Sequence, residues 1–441
     1  MKGETQMKEI YDLGSIAGSV LGKLTAAGAQ KAACSLSCTE KQEFNYVTGD
    51  FKLFRTLFSN SVSLTAIKDS KRGSSSVNRL DEDAIDTAVA DCIAAADASS
   101  ADPAWDIAPM TENADFVSGV LEPDINLLFD RTRELLDDIT KEFPKVVVED
   151  IITAYSVGHS VYANSNGVKY DSRTGYYSIS LSFSAHEGEK SSSFFYSFAL
   201  TPVIDKPFIE MSSIRQDLDD IQKQIDTRPV DGKFVGTVIL APGCLGDLFG
   251  SALGNFASDS KILDGTSLWI DKLGKQVASP SLTIKSVVRD ERLALTDDYT
   301  NEGFRSESFN IIENGILKSF LLSLYVSNKT GFDRAPNDGG FTIIEGGDKK
   351  LADIVAGIDK GLIVGRFSGG EPASNGEFSG VAKNSFIIEG GKVVGAASET
   401  MISGNLADML MNINAISEET VNDGTSILPY IAIDGVTVSG K

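Results

Sequence analysis

Two-residue turns set between apolar runs constrain this chain more than any other feature. Phe309-Asn-Ile-Ile-Glu-Asn-Gly-Ile-Leu-Lys-Ser-Phe320 carries Asn-Gly, and Phe386-Ile-Ile-Glu-Gly-Gly-Lys-Val-Val394 carries Gly-Gly. Tyr430-Ile-Ala-Ile-Asp-Gly-Val-Thr-Val438 carries Asp-Gly. A type I′ turn needs positive φ at both central residues, which these residue types accept at least cost. Each is therefore read as a hairpin. With strand-like runs at Val238 and Leu282, the three predict a large sheet that closes or folds onto itself. Met401 to Ile413 reads as a late helix whose Met and Leu residues face the core.

The first half alternates helix and strand signals. Ile10, Leu13, Ile16, Ala17, Val20, Leu21 and Leu24 form one stripe of a helix from about Gln6 to Ala27. A meander of antiparallel strands follows from Ala32 to Ser76, punctuated at Gly49-Asp50 and Ser59-Asn60. Asp81 caps a helix that runs to about Ala98 and is broken by Ser99-Ser-Ala-Asp-Pro103. A second helix follows Pro123 and ends near Pro144. Strands are expected from Val146 to Ala163, Gly167 to Lys169, Tyr176 to Ala185 and Ser192 to Leu200, with Asn164-Ser-Asn-Gly167 as a turn. A helix from Ser213 to Ile225 precedes a linker at Arg228-Pro-Val-Asp-Gly232. The fold class is α+β: an N-terminal mixed helix and antiparallel-sheet domain (1–227), then a strand-rich C-terminal domain (228–441) with a large, partly closed sheet.

Charge narrows the function. The chain has 62 acidic against 40 basic residues, a net −22, which repels a phosphate backbone. Its basic cluster, Lys68-Asp-Ser-Lys-Arg72, is interrupted by an acid and reads as a solvated turn, so no direct nucleic-acid contact is expected. Cys34 and Cys38 lie four apart on a strand, about 13 Å, beyond disulfide reach. Reduced thiols, no apolar signal core behind Met1-Lys-Gly-Glu, and no run near the roughly 18 apolar residues of a membrane span predict a soluble, cytoplasmic protein.

Two histidines leave little for catalysis. His186-Glu187 lacks a second histidine and meets Gly188, which favours a turn. His159 alternates with Tyr155, Val157 and Val161 and reads as a satisfied strand histidine. Neither a Gly-x-Ser-x-Gly elbow nor a phosphate loop is present. Asp333, Asn337 and Asp338 fit no calcium-loop spacing. Adjacent carboxylates such as Asp297-Asp298 face apart.

The stretch Val238-Ile-Leu-Ala-Pro-Gly-Cys-Leu-Gly-Asp-Leu-Phe-Gly-Ser-Ala-Leu-Gly-Asn-Phe256 reads as a strand entering an amphipathic helix. Leu245, Leu248, Phe249, Ala252, Leu253 and Phe256 form its apolar face, and Gly250 and Gly254 are expected to admit another backbone closely. With Gly265-Thr-Ser-Leu-Trp-Ile-Asp-Lys-Leu-Gly-Lys-Gln-Val-Ala-Ser-Pro280 and Phe386 to Asn405, it resembles the C-terminal half of the TldD/PmbA family. These are two-subunit metallopeptidases also called modulators of DNA gyrase. In the zinc-bearing TldD branch this helix carries His-Glu-three residues-His, and the matching positions here are Gly250, Ser251 and Asn255. Glycine and asparagine offer no imidazole, and serine cannot replace the glutamate that activates a metal-bound water.

The resemblance thus implies the TldE (PmbA)-like branch, with no catalytic residue, metal ligand or cofactor in this chain and zinc in a TldD-like partner. The implied function is a non-catalytic subunit of a heteromeric peptidase acting on short or unfolded peptides in an enclosed chamber, where this chain grips peptide by strand addition. Its substrate-binding residues are unassigned, and a homodimer is compatible with the chain alone. The alternative is a stand-alone peptide-binding or adaptor protein without peptidase activity. Ligands five apart lie about 140° apart on a regular helix, so a helix freed of metal is expected to be regular.

Overall fold

In the computed structural model, which describes residues 11–398 and 400–440, the chain builds two sheets in succession. The first has strands β1 (Lys31–Val47), β2 (Asp50–Lys68), β3 (Lys71–Val77), β4 (Ala114–Gly119), β5 (Val146–Asn164), β6 (Lys169–Glu187), β7 (Lys190–Ser191) and β8 (Phe195–Thr201). Their order is β3-β2-β1-β5-β6-β4, with β7 and β8 also on β6. β4 runs parallel to β6, while the long strands pair antiparallel.

Helices α1 (Leu13–Ala26), α2 (Glu82–Ala98), α3 (Ile125–Glu142) and α4 (Ile214–Lys223) accompany this sheet. Asp12, Asp81 and Asp124 cap the first three, each carboxylate accepting a backbone N–H of the first turn. α1 and α2 form one core with Leu36, Leu64, Val161 and Ala163. α3 and α4 form another with Ile151, Tyr155, Val157 and Leu181. Both use odd-numbered residues of β5, so both cores sit on one face of the sheet.

The second sheet has strands β9 (Thr227–Pro229), β10 (Lys233–Leu240), β11 (Ile284–Val287), β12 (Phe309–Glu313), β13 (Ile316–Leu317), β14 (Phe341–Ile343), β15 (Lys360–Val364), β16 (Arg366–Gly369), β17 (Glu377–Lys383), β18 (Phe386–Glu389), β19 (Lys392–Ser398), β20 (Thr400–Asn405), β21 (Ile413–Asn422) and β22 (Ser426–Ser439). The main path is β13-β12-β11-β14-β22-β10-β15-β18-β19-β9, and β22 also pairs with β20 and β21, which folds the sheet over itself. Its helices are α5 (Pro242–Phe256), α6 (Asp259–Leu263), α7 (Leu324–Thr330), α8 (Leu351–Ala356) and α9 (Leu406–Met411). Trp105 stacks on Tyr325 at 3.8 Å between the two halves. Beside it the Tyr325 hydroxyl donates to Asp102 Oδ2 (2.9 Å), and the Tyr162 hydroxyl donates to the Glu302 carbonyl (2.7 Å). No helix among the described residues is long and apolar enough to cross a membrane.

The α+β architecture matches the expectation, and several local readings need correction. β2 runs straight through Ser59-Asn60. Its real turns are Thr48-Gly49 (φ 43° and 92°) and Asp69-Ser70 (φ 51° and 60°). Asn314-Gly315 and Gly390-Gly391 make the expected hairpins, with positive φ at all four residues. Asp434-Gly435 makes none: only Gly435 is left-handed (φ 81°), and the two residues bulge out of β22 opposite Thr237, whose hydroxyl donates to Asp434 Oδ1 at 2.6 Å. The expected helix from Met401 is strand as far as Asn405, because β17 and β22 pair with it on both sides. Of the strand signal at Gly167–Lys169 only Lys169 is strand, the start of β6, which also holds Tyr176–Ala185; Thr227–Pro229 adds β9 where a linker was expected to begin. α1 starts at Leu13; the rest of the reading back to Gln6 includes residues outside those described.

Asp217 of α4 is half-buried as a residue, but its carboxyl turns in towards β8. There Oδ2 accepts from the hydroxyls of Ser197 (2.6 Å) and Ser213 (2.7 Å). Burial, outweighing these bonds, pushes the carboxyl up to about 7. A raised folded value means the stabilising contribution is complete below the ordinary carboxylate range and is lost as pH climbs through about 7. Asp217→Asn should therefore gain on the wild type between pH 4 and 8. The gain is about 2 kcal/mol once roughly 1.4 kcal/mol per pKa unit is discounted for partial exposure. Parallel melting curves of the two proteins across that range would show it, and a constant difference would refute the assignment.

Candidate functional site

α5 begins where the chain leaves β10. Pro242 sits in its first turn, where the missing N–H removes nothing from the helix. One face buries Cys244, Leu245, Leu248, Phe249, Ala252, Leu253 and Phe256. Burial pushes the Cys244 thiol up to about 12, so it is held as an inert thiol. The opposite face exposes Gly243, Asp247, Gly250 and Gly254, with Ser251 and Asn255 half-buried beside them.

The three positions matched to metal ligands all lie away from the core face. A Cβ built on Gly243, Gly250 or Gly254 would meet nothing within 4 Å. The expected close backbone approach at Gly250 and Gly254 is therefore wrong: their missing side chains leave open space. Asn255 is committed elsewhere, its amide Nδ2 donating to the Pro372 carbonyl at 3.2 Å. Asn405 holds the same turn from the other side, donating to the Asn375 carbonyl at 2.8 Å. A Cβ on Gly376 would lie 2.9 Å from the Phe256 ring and from Asn405 Oδ1, so the 370–376 turn seats closely against the end of α5. The helix is α-helical over all fifteen residues, the regular form that was expected of it.

These residues do not suit zinc. Gly250 has no donor atom, Ser251 supplies a neutral hydroxyl, and the Asn255 amide pins a backbone. Among the described residues, no three His, Cys, Asp or Glu side chains converge as metal ligands. His159 Nε2 lies 2.9 Å from Asp171 Oδ1, a satisfied strand histidine as read. His186 Nε2 lies 3.0 Å from the Ser184 hydroxyl, and Glu187 pairs with Lys145 at 2.9 Å. Asn337 is buried; its oxygen accepts from the Ser286 hydroxyl and the Gly339 N–H, and its amide donates to the Glu307 carbonyl.

The fold does assemble one titratable group that the sequence did not reveal. Asp297 is pushed up to about 6 by burial and by the charges of Asp338 and Asp298. Glu302 and Asp338 are also raised, chiefly by burial. Asp297 Oδ2 and Glu302 Oε2 are buried without hydrogen-bond partners among the described residues. Asp298 turns the other way, to Arg289 at 3.0 Å. No spacing rule could connect Asp297 to Asp338, which tertiary folding alone brings near.

Two family models match the chain: the PmbA/TldA metallopeptidase central domain over residues 121–220, and the PmbA/TldA metallopeptidase C-terminal domain over residues 232–440. The chain belongs to the PmbA/TldD metallopeptidase family. It is 31% identical over 206 residues to the Metalloprotease PmbA of Escherichia coli O157:H7, a match covering 45% of each chain. It is 29% identical over 229 residues to a zinc metalloprotease TldD homolog of Saccharolobus solfataricus, covering 48% of this chain and 51% of that one. The chain spans about half the length of the relatives it matches in sequence.

The likeness in architecture extends over nearly the whole chain. TldE from Thermococcus kodakarensis superposes with a TM-score of 0.84 at 19% identity, over 96% of this chain and 100% of that one. A Bacteroides thetaiotaomicron protein named for modulation of DNA gyrase gives 0.84 at 21% identity, over 98% and 100%. At such identities the likeness concerns architecture alone.

The open face makes a simple demand on stability. Glycine inside a helix costs about 0.5–1 kcal/mol relative to alanine where space is free. Gly250→Ala and Gly254→Ala should each raise Tm. A fall in Tm for either would mean that something packs against this face after all.

Proposed function

We propose that this chain is a non-catalytic subunit of a heteromeric zinc metallopeptidase that processes or degrades short or unfolded peptides, with the zinc held by a TldD-like partner. The observation that carries the reading is the face of α5. At the positions that the resemblance equates with the metal ligands it carries Gly250, Ser251 and Asn255, and the asparagine is already spent on a structural bond. Membership of a metallopeptidase family supports the peptide substrate, and a named zinc metalloprotease among the relatives supports a zinc-bearing partner.

No step of hydrolysis is assigned to this chain, because no residue at the matched positions can hold the metal or activate its water. Its part is to complete the partner's chamber and to grip peptide along a strand edge. The strand-rich half, 228–441, would face the partner's catalytic helix, with 1–227 as a second domain. Cytoplasmic action fits four free cysteines, of which Cys34 and Cys244 are held as thiols by burial.

The deciding measurement is zinc per chain in protein purified without a histidine tag, together with peptidase assays of the chain alone and after co-expression with a TldD-like chain. The expected result is zinc far below one equivalent in the lone chain, and chelator-sensitive cleavage only with the partner. Zinc near one equivalent, or chelator-sensitive cleavage by the lone chain, would overturn the proposal. Peptide binding with no complex would favour the adaptor reading.

A further inference from the structure

A chain can rearrange on itself where asparagine or aspartate precedes glycine. Without a Cβ to hinder it, the glycine N–H attacks the side-chain Cγ of its neighbour. A five-membered succinimide closes as ammonia leaves asparagine, or water leaves aspartate. Water then reopens the ring at either carbonyl, which gives aspartate or isoaspartate. The step needs a glycine N–H that is not already donating and a side chain free to swing onto it. The sequence holds three Asn-Gly and five Asp-Gly pairs, and the fold decides which of them can react.

All three Asn-Gly pairs, the faster reactants in an open chain, are closed. The Gly167 N–H donates to the Asn164 carbonyl (3.1 Å), that of Gly315 to Leu282 (2.9 Å) and that of Gly376 to Ala373 (2.8 Å). Two of the side chains are held as well. The Asn166 amide donates to the Ala108 carbonyl at 2.9 Å, and Asn375 Oδ1 accepts from the Glu377 N–H at 3.1 Å. Three Asp-Gly pairs are closed in the same way: the N–H groups of Gly265, Gly339 and Gly424 donate to the Ile262 carbonyl, Asn337 Oδ1 and Asn422 Oδ1. At Asp434-Gly435 the carboxylate is tied instead, by the Thr237 hydroxyl (2.6 Å) and the Asn414 amide (2.8 Å).

Asp231-Gly232 differs from all of these. Both residues are exposed, and neither the Gly232 N–H nor the Asp231 carboxylate has a hydrogen-bond partner among the described residues. Gly232 stands at φ 64°, with open space where a Cβ would be.

We propose that Asp231-Gly232 is a self-modification site at which this chain accumulates isoaspartate. The Gly232 nitrogen lone pair forms the bond to Asp231 Cγ. The Cγ–O bond of the protonated carboxyl breaks, and its hydroxyl leaves as water with the N–H proton. Hydrolysis returns one water, so the mass is unchanged and no other reactant is consumed. Opening at the Asp231 main-chain carbonyl adds one methylene to the backbone and leaves a free α-carboxylate. That exposed group is the chemistry an isoaspartate-directed methyltransferase accepts. The pair also joins β9 to β10, and the Gly232 carbonyl accepts from the Gly440 N–H at 2.9 Å, just beyond β22. A lengthened backbone here parts that bond and frees the end of β22.

The test is to age the full chain at mildly acidic pH, where the protonated carboxyl that loses water is most populated. The digest is then read by electron-transfer fragmentation, which separates aspartate from isoaspartate. Isoaspartate should rise at position 231 while the peptides of Asn166, Asn314 and Asn375 keep their mass. Ageing in heavy-oxygen water should label the 231 peptide with one oxygen per ring opening. The same chain held unfolded in urea should reverse the order, with the Asn-Gly pairs reacting first. Asp231→Glu keeps the charge but would need a six-membered ring, so it should lose the signal at unchanged Tm. Deamidation at any of the three asparagines before isoaspartate appears at 231 would overturn the proposal. So would an unmodified Asp231 in the folded chain after a free peptide spanning 228–235 has rearranged, or an isoaspartate yield that Asp231→Glu leaves the same.

Discussion

A mismatch of lengths governs the first half of this protein. β2, β5 and β6 are each 19 residues long, roughly 60 Å at strand rise. α1 and α3 have 14 and 18 residues, about 21 and 27 Å at helical rise. No single helix can cover such strands, so the sheet takes one helix pair at each end of the same face. Each pair makes its own core, and a polar strip remains between them. His159 lies there, between Val157 of one core and Val161 of the other, and so finds Asp171 instead of an apolar neighbour. Glu40, the buried β1 partner of Val157, lies beside it.

A similar separation of roles holds along α5. The core of α5 comes from residues on one face, and Gly250, Ser251 and Asn255 lie off it. None of these three residues belongs to the second core. Asn255 and Asn405 grip the 370–376 turn from two sides.

Much of this was legible in the residues, and the failures have physical causes. Helices with an aspartate cap and a clear apolar stripe, α2 and α3, were placed closely because their signals are local. Ser59-Asn60 misled because polar residues tolerate an exposed edge strand as readily as a turn. Asp434-Gly435 misled because one left-handed glycine serves a bulge as well as a hairpin, and only the neighbouring β10 decides between them. Met401 to Asn405 has helical composition, yet its flanking strands set its state. The parallel strand β4 had no signal at all, being short and defined by its place beside β6. At the candidate site, the identities of Gly250, Ser251 and Asn255 were readable. That the glycines open onto space and the asparagine holds a turn required the fold.

β22 pairs with β10, β14, β20 and β21, and α5 packs against it as well. It is also the last strand of its sheet in chain order. During synthesis the first sheet and its two cores can form while the chain is still being made. The second sheet has no spine until about two hundred more residues have followed β9. Its earlier strands wait as partly paired edges, and α5 waits with its apolar face uncovered. The half of the molecule that matches the family's C-terminal domain is thus the half most dependent on protection from aggregation while it is being born.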